Sequence, residues 1–194
     1  MSERVRLALL AFLLSAAGSA APAQDSYPAD IAPPPGTRYP CALTALPPGL
    51  PGVPPADRAF VNRTYSRVLR ATQAKLLLLK SLEERQGMSD ALARYLGETE
   101  ALAGRQKADA VPEGLGPFQK DVLAALELQQ AFFRKALPLR EAGRGMDAAY
   151  QMPEGRQASA RLVAAFGQMQ ARYPSWSAET RDSIYHHLCA LDLF

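Results

Sequence analysis

The chain has 194 residues, a formal net charge of +3, a hydrophobic share of 48%, two cysteines and two histidines. That length suits one domain with a true apolar core. Its near-even charge offers no general attraction for nucleic acid, which would call for a concentrated basic face with interleaved aromatics.

The first residues, MSERVRLALLAFLLSAAGSAAPA, place Arg4 and Arg6 before an apolar or small run from Leu7 to Ala17. Ala21, Pro22 and Ala23 then offer a small-x-small cleavage pattern. This is the layout of a signal peptide over residues 1–23. Its apolar core is shorter than the roughly 20 residues that a membrane span needs, and no cysteine stands at the cleavage point to take a lipid. Cleavage after Ala23 would leave 20 Lys and Arg against 18 Asp and Glu, and no second apolar run of spanning length. The expected location is periplasmic or secreted, with no membrane span after cleavage. In such an oxidising compartment the two cysteines, Cys41 and Cys189, read as one disulfide.

Residues 24–55 follow as a proline-rich extended arm, because SYPADIAPPPGTRYPCALTALPPGLPGVPP (26–55) has prolines too often for a helix or a central strand. Tyr39, Cys41, Leu43, Leu46 and Leu50 give it apolar side chains. The part after Tyr39 is expected to be strapped over the domain, with residues 24–36 loose.

From residue 56 to 194 the pattern is helical. Val61, Tyr65, Val68, Thr72, Leu76 and Leu79 recur at three- and four-residue spacings, which predicts a helix over 56–86. Gly87 can stop it and Ser89 can cap the next, over 89–103, with Leu92, Tyr95 or Leu96, Thr99 and Leu102 inward. Residues 104–116 read as a polar loop with at most one helical turn. Pro117 opens a third helix with Phe118, Val122, Ala125 or Leu126, Gln129 and Phe133 on its face. Pro138 should kink or end it, and Gly143 and Gly145 mark the break that follows. A fourth helix runs from about Pro153 to Tyr173 on Leu162, Phe166, Met169 and Tyr173. The last starts from a Ser177 cap with Glu179 in its first turn. No segment alternates as a half-buried strand does. The predicted fold is all-α, a four- to five-helix bundle with an extended proline-rich N-terminal arm.

Spacing excludes much of the chemistry that such bundles host. A di-iron site needs a Glu three residues before a His, but Ser183 and Ile184 stand three before His186 and His187. The cysteines lie too far apart in sequence for a CxxCH haem or a CxxC redox motif. GRGMDA, residues 143–148, matches the glycine-rich dinucleotide pattern only formally, for no strand precedes it. Met146, Met152 and Met169 read as packing rather than copper ligands. Arg134, Lys135, Arg140 and Arg144 form the densest basic stretch, a solvated face or an anion-binding surface.

Both histidines fall in the ending SIYHHLCALDLF. On a helix, Ile184, Leu188 and Leu191 form an apolar stripe with His187 on one shoulder, and His186 points nearly opposite, beside Asp182. Neighbouring helical residues do not converge on one ion, so the pair alone is not a metal site. Metal candidates are His186 or His187, each needing partners from elsewhere; ligand-binding candidates are Asp182, His186, Arg140 and Arg144. No catalytic residue is assigned and no cofactor is called for. The function expected is a non-catalytic binding module for a protein or a small apolar or anionic ligand in the exported compartment. Two alternatives are metal or haem binding through His186 or His187, and a hydrolase-like enzyme with Asp182 and His186 as acid and base.

Overall fold

The computed structural model describes residues 27–193; the expected signal peptide lies outside them. Among the described residues the fold is all-helical, with no strand. Its elements are α1 (Pro55–Glu84), α2 (Met88–Ala108), α3 (Gly116–Glu141), α4 (Met146–Tyr150), α5 (Pro153–Arg172) and α6 (Ala178–Leu191). No helix among these residues is long and apolar enough to cross a membrane.

α1 begins with a proline in its first turn and Asp57 beside its positively polarised end. Val61, Tyr65, Val68, Thr72 and Leu76 are buried as their spacing requires. The helix stops where Arg85 turns left-handed, at φ 56°, and Ser81 O accepts from Gln86 N at 3.1 Å. A connection this short returns α2 along α1. Ser89 does not cap α2: the cap position is Gly87, and the Ser89 hydroxyl instead donates to Glu141 Oε1 at 3.3 Å.

α2 also runs past residue 103 to Ala108, where a loop was expected. The extra turn carries Gln106, whose Nε2 donates to Thr64 Oγ1 at 2.9 Å while its Oε1 accepts from Arg67 Nη1 at 2.6 Å. A polar network holds this turn, so the apolar period could not reveal it. α3 likewise continues through Pro138 to Glu141. Proline deletes one bond of the ladder, but Arg140 fastens the last turn by donating to Leu82 O and to Arg144 O. α4, too short to show a period, was missed. Its Ala149 is fully buried, and Tyr150 stacks on Phe132 at 6.1 Å between ring centroids.

Two apolar clusters form the core. The larger joins Phe60, Tyr65 and Val68 of α1 to Phe118 and Val122 of α3, Leu162 and Met169 of α5, and Ile184 and Leu188 of α6. The smaller joins Leu78 and Leu82, Tyr95, Phe132 and Phe133. Leu46, Leu50 and Val53 insert the arm into the larger cluster, worth about 2 kcal/mol each by apolar burial. At Gly52, with φ 82°, the arm passes so close to Trp176 that an added Cβ would lie 2.5 Å from its Cα.

From Tyr27 the arm is anchored too, contrary to the expectation of a loose stretch over residues 24–36, of which 24–26 lie outside the described residues. The Tyr27 ring packs against the larger cluster, and Gln73 Nε2 donates to Ala32 O at 3.1 Å. Proline keeps this stretch extended, and the side chains of α1 and α6 supply the donors and acceptors that it cannot give itself.

Candidate functional site

Cys41 and Cys189 are joined in a disulfide with Cα atoms 6.3 Å apart, tying the arm to the last turns of α6. Around it, Ser183 Oγ donates to Ala45 O at 2.9 Å and to Thr44 O at 3.2 Å. The seam between arm and α6 is therefore closed covalently and by hydrogen bonds.

The histidines part company on this helix. His187 is 1% exposed, with Nδ1 2.6 Å from Ser183 O and Nε2 2.6 Å from the Tyr27 hydroxyl. Burial pushes its pKa down to about 4. Both ring nitrogens are engaged, so neither faces outward to meet a metal. His186 is half-buried, its Nδ1 enclosed without a hydrogen-bond partner among the described residues. Asp182 is exposed and lies 3.5 Å from Arg181, its sequence neighbour; no hydrogen bond or ion pair joins it to His186. Among the described residues no group of three or more His, Cys, Asp and Glu is placed to hold a metal ion.

Arg140 stands apart from the other basic residues of its stretch. It is buried, and its guanidinium donates to Leu82 O at 3.1 and 2.8 Å, so it serves the C-terminal turn of α1 rather than a ligand. Arg144 is exposed, and its carbonyl accepts from Arg140.

Other buried charges are also engaged by the fold. Lys75, 1% exposed, donates to Ala190 O at 2.8 Å, to Leu191 O at 3.1 Å and to Asp192 O. Burial pushes its pKa down to about 7, although the nearby Asp192 acts the other way. Asp57 Oδ2 accepts from Arg172 Nη2 at 2.8 Å and from the Tyr173 hydroxyl at 2.7 Å. Asp109 accepts from Arg67 and Arg63 at 2.8 and 3.1 Å, and those two bonds hold its carboxyl below the usual range against the opposing effect of burial.

Between α1 and α2 runs an open groove of about 480 Å³, lined also by Pro34 of the arm. Ala74, Leu77, Ala91 and Tyr95 form its floor, and Leu77 is 40% exposed there. Its walls carry Arg70, Lys80 and Arg94 against Glu84 and Glu98. Lys80 lies 4.0 Å from Glu84, whereas Arg70 on α1 and Arg94 on α2 make no ion pair or side-chain hydrogen bond among the described residues. The volume falls in the range of small-molecule sites.

No protein-family model, curated protein or solved structure matches the chain.

Sequence reasoning missed the groove because its floor is the weak apolar edge of two stripes already assigned to the core. The signal was present in Leu77, which lies off the α1 stripe and has no core role. It also missed the Tyr27 to His187 contact, which spans 160 positions and leaves no periodic trace.

Proposed function

We propose that the chain is an exported, non-catalytic binding module, and that its α1–α2 groove takes a ligand with an elongated apolar body and an acidic head. One observation carries the reading: Arg70 and Arg94 face the groove from two helices, unpaired, above the floor of Ala74, Leu77, Ala91 and Tyr95. An apolar floor rewards burial at about 25 cal/mol per Å². Unpaired guanidiniums favour a carboxylate or phosphate, which they bind with two parallel donors. The leader-like N-terminus and the disulfide support export. The engagement of Lys75, His187 and Arg140 in the fold supports binding over catalysis.

Calorimetry below micellar concentration tests the reading with decanoate and decanol as probes. Saturable decanoate binding is expected, weakened about tenfold or more by Arg94→Glu and by Leu77→Glu, with decanol binding lost only in Leu77→Glu. Decanoate heats that are absent, or identical in all three proteins, would overturn it. So would a bound metal or haem that disappears when His186 and His187 are both changed to alanine.

A further inference from the structure

Tyr27 lies with its ring 5.6 Å from the His187 ring and its hydroxyl 2.6 Å from Nε2. The other nitrogen, Nδ1, faces Ser183 O. A carbonyl can only accept, so Nδ1 carries a proton; in the neutral ring Nε2 is then bare and the Tyr27 hydroxyl donates to it. A neutral imidazole satisfies both contacts at once.

The surroundings offer nothing to stabilise a charged one. α1 presents Tyr65, edge-on at 5.4 Å between ring centroids, with a buried hydroxyl that has no hydrogen-bond partner among the described residues. α3 stacks Phe118 behind Tyr65 at 6.1 Å. The arm presents Tyr27, pushed up to about 12 by burial, and α6 adds His186, whose charge would oppose a second one. No carboxylate comes within ion-pair reach of His187 among the described residues. A proton on Nε2 would turn the Tyr27 hydroxyl from donor to acceptor and leave a desolvated charge without a counterion.

The easiest relief is for the arm to leave. Between Tyr27 and the disulfide at Cys41, the side-chain hydrogen bonds that tie the arm to the helices among the described residues are those of Tyr27 to His187 and of Gln73 to Ala32 O and to Tyr39. The bonds from Thr37 to Pro34 and from Tyr39 to Ile31 lie within the arm itself.

We propose that Tyr27 and His187 form an acid-released latch: protonation of His187 expels Tyr27 and frees residues 27–40, which stay tethered by Cys41–Cys189. Burial holds the ring at about 4 in the closed form, against 6.5 for an exposed histidine. The closed form therefore keeps its full advantage above pH 6.5 and loses it as pH falls through that window to about 4, an overall shift of at most about 300-fold, reached where release exposes the ring fully. Pro34, which lines the groove, moves with the freed segment and would reshape it. That consequence rests on the binding reading above; the latch itself does not.

Nuclear magnetic resonance of the disulfide-bonded chain between pH 7.5 and 3.5 tests the latch without any ligand. The Tyr27 ring and amides 28–38 are expected to move to disordered positions with the same midpoint as the His187 ring, while amides of α1, α3 and α5 stay in place. Tyr27→Phe keeps the packing and removes the bond, so it should raise the release midpoint and weaken the closed form about tenfold. His187→Gln should abolish the acid dependence. Tyr27 remaining packed while His187 titrates, release only together with helix unfolding, or an unchanged midpoint in Tyr27→Phe would each overturn the latch. Failure of decanoate to bind would leave these results untouched.

Discussion

Replacing Cys41 and Cys189 together by alanine should lower stability by about 4–5 kcal/mol without changing the fold. The bond closes a loop across 148 positions of sequence. Loop-closure entropy puts its effect on the unfolded chain at about 5 kcal/mol. The native arm does not depend on the bond for its place, because Leu46, Leu50 and Val53 remain inserted in the larger core cluster. Each contributes about 2 kcal/mol of apolar burial. Helical circular dichroism should therefore be unchanged at 25 °C, while the melting midpoint falls by roughly 10–20 °C, at 2–4 °C per kcal/mol for a domain of this size. Urea unfolding of the oxidised chain and the double variant, with fitted slopes compared, measures the difference. A loss below about 1 kcal/mol would refute the entropy argument, since arm and α6 would then already be neighbours in the unfolded chain. Loss of helix signal would refute the independence of the arm.

Urea unfolding checks four further expectations. Gly52→Ala should cost about 2–3 kcal/mol, because the backbone stands at φ 82° and the new Cβ meets the Trp176 main chain. Gly87→Ala, at φ 57° but with nothing within 4 Å, should cost only about 1 kcal/mol. Lys75→Met should destabilise by about 2–4 kcal/mol at pH 6, by stranding the carbonyls of Ala190, Leu191 and Asp192. Because the folded lysine titrates lower than the unfolded one, wild-type stability should gain with rising pH between about 7 and 10.5, and Lys75→Met should lose that gain. Asp109→Asn should cost about 1–2 kcal/mol at pH 7 and progressively less as the pH falls below the usual carboxylate range, since a carboxyl held low by Arg67 and Arg63 stabilises the fold only while ionised. A flat response across these pH windows would contradict the assignments.

The helices with long apolar periods were legible. Val61, Tyr65 and Val68 on α1, and Leu162 and Met169 on α5, are buried where their spacing puts them. Ser177 caps α6 as expected, accepting from Thr180 N at 3.1 Å. The cysteine pair was legible because only two cysteines exist to be joined. What failed to show in the sequence is held by polar groups. The last turn of α2 rests on Gln106, and the end of α3 rests on Arg140. In a linear pattern such residues look like solvated surface, since burial of a charge is a property of its partners.

The two buried cations share one logic. A helix leaves its last four carbonyls without intrahelical donors. On α6, Asp192 N takes those of Leu188 and Cys189, Lys75 takes those of Ala190, Leu191 and Asp192, and Gln129 Nε2 adds a bond to Leu191 O at 2.7 Å. On α1, Arg85 N and Gln86 N take Ser81 O, and Arg140 takes Leu82 O twice. In both places a cation from a neighbouring helix meets the negative end of a helix dipole, where charge and hydrogen bonding act in the same direction. The last turn of α6 is thus fixed by Lys75, Gln129 and the disulfide at Cys189. Since that turn also positions His187 against Tyr27, the rigidity of α6 is what lets a single proton act on the arm instead of on the helix.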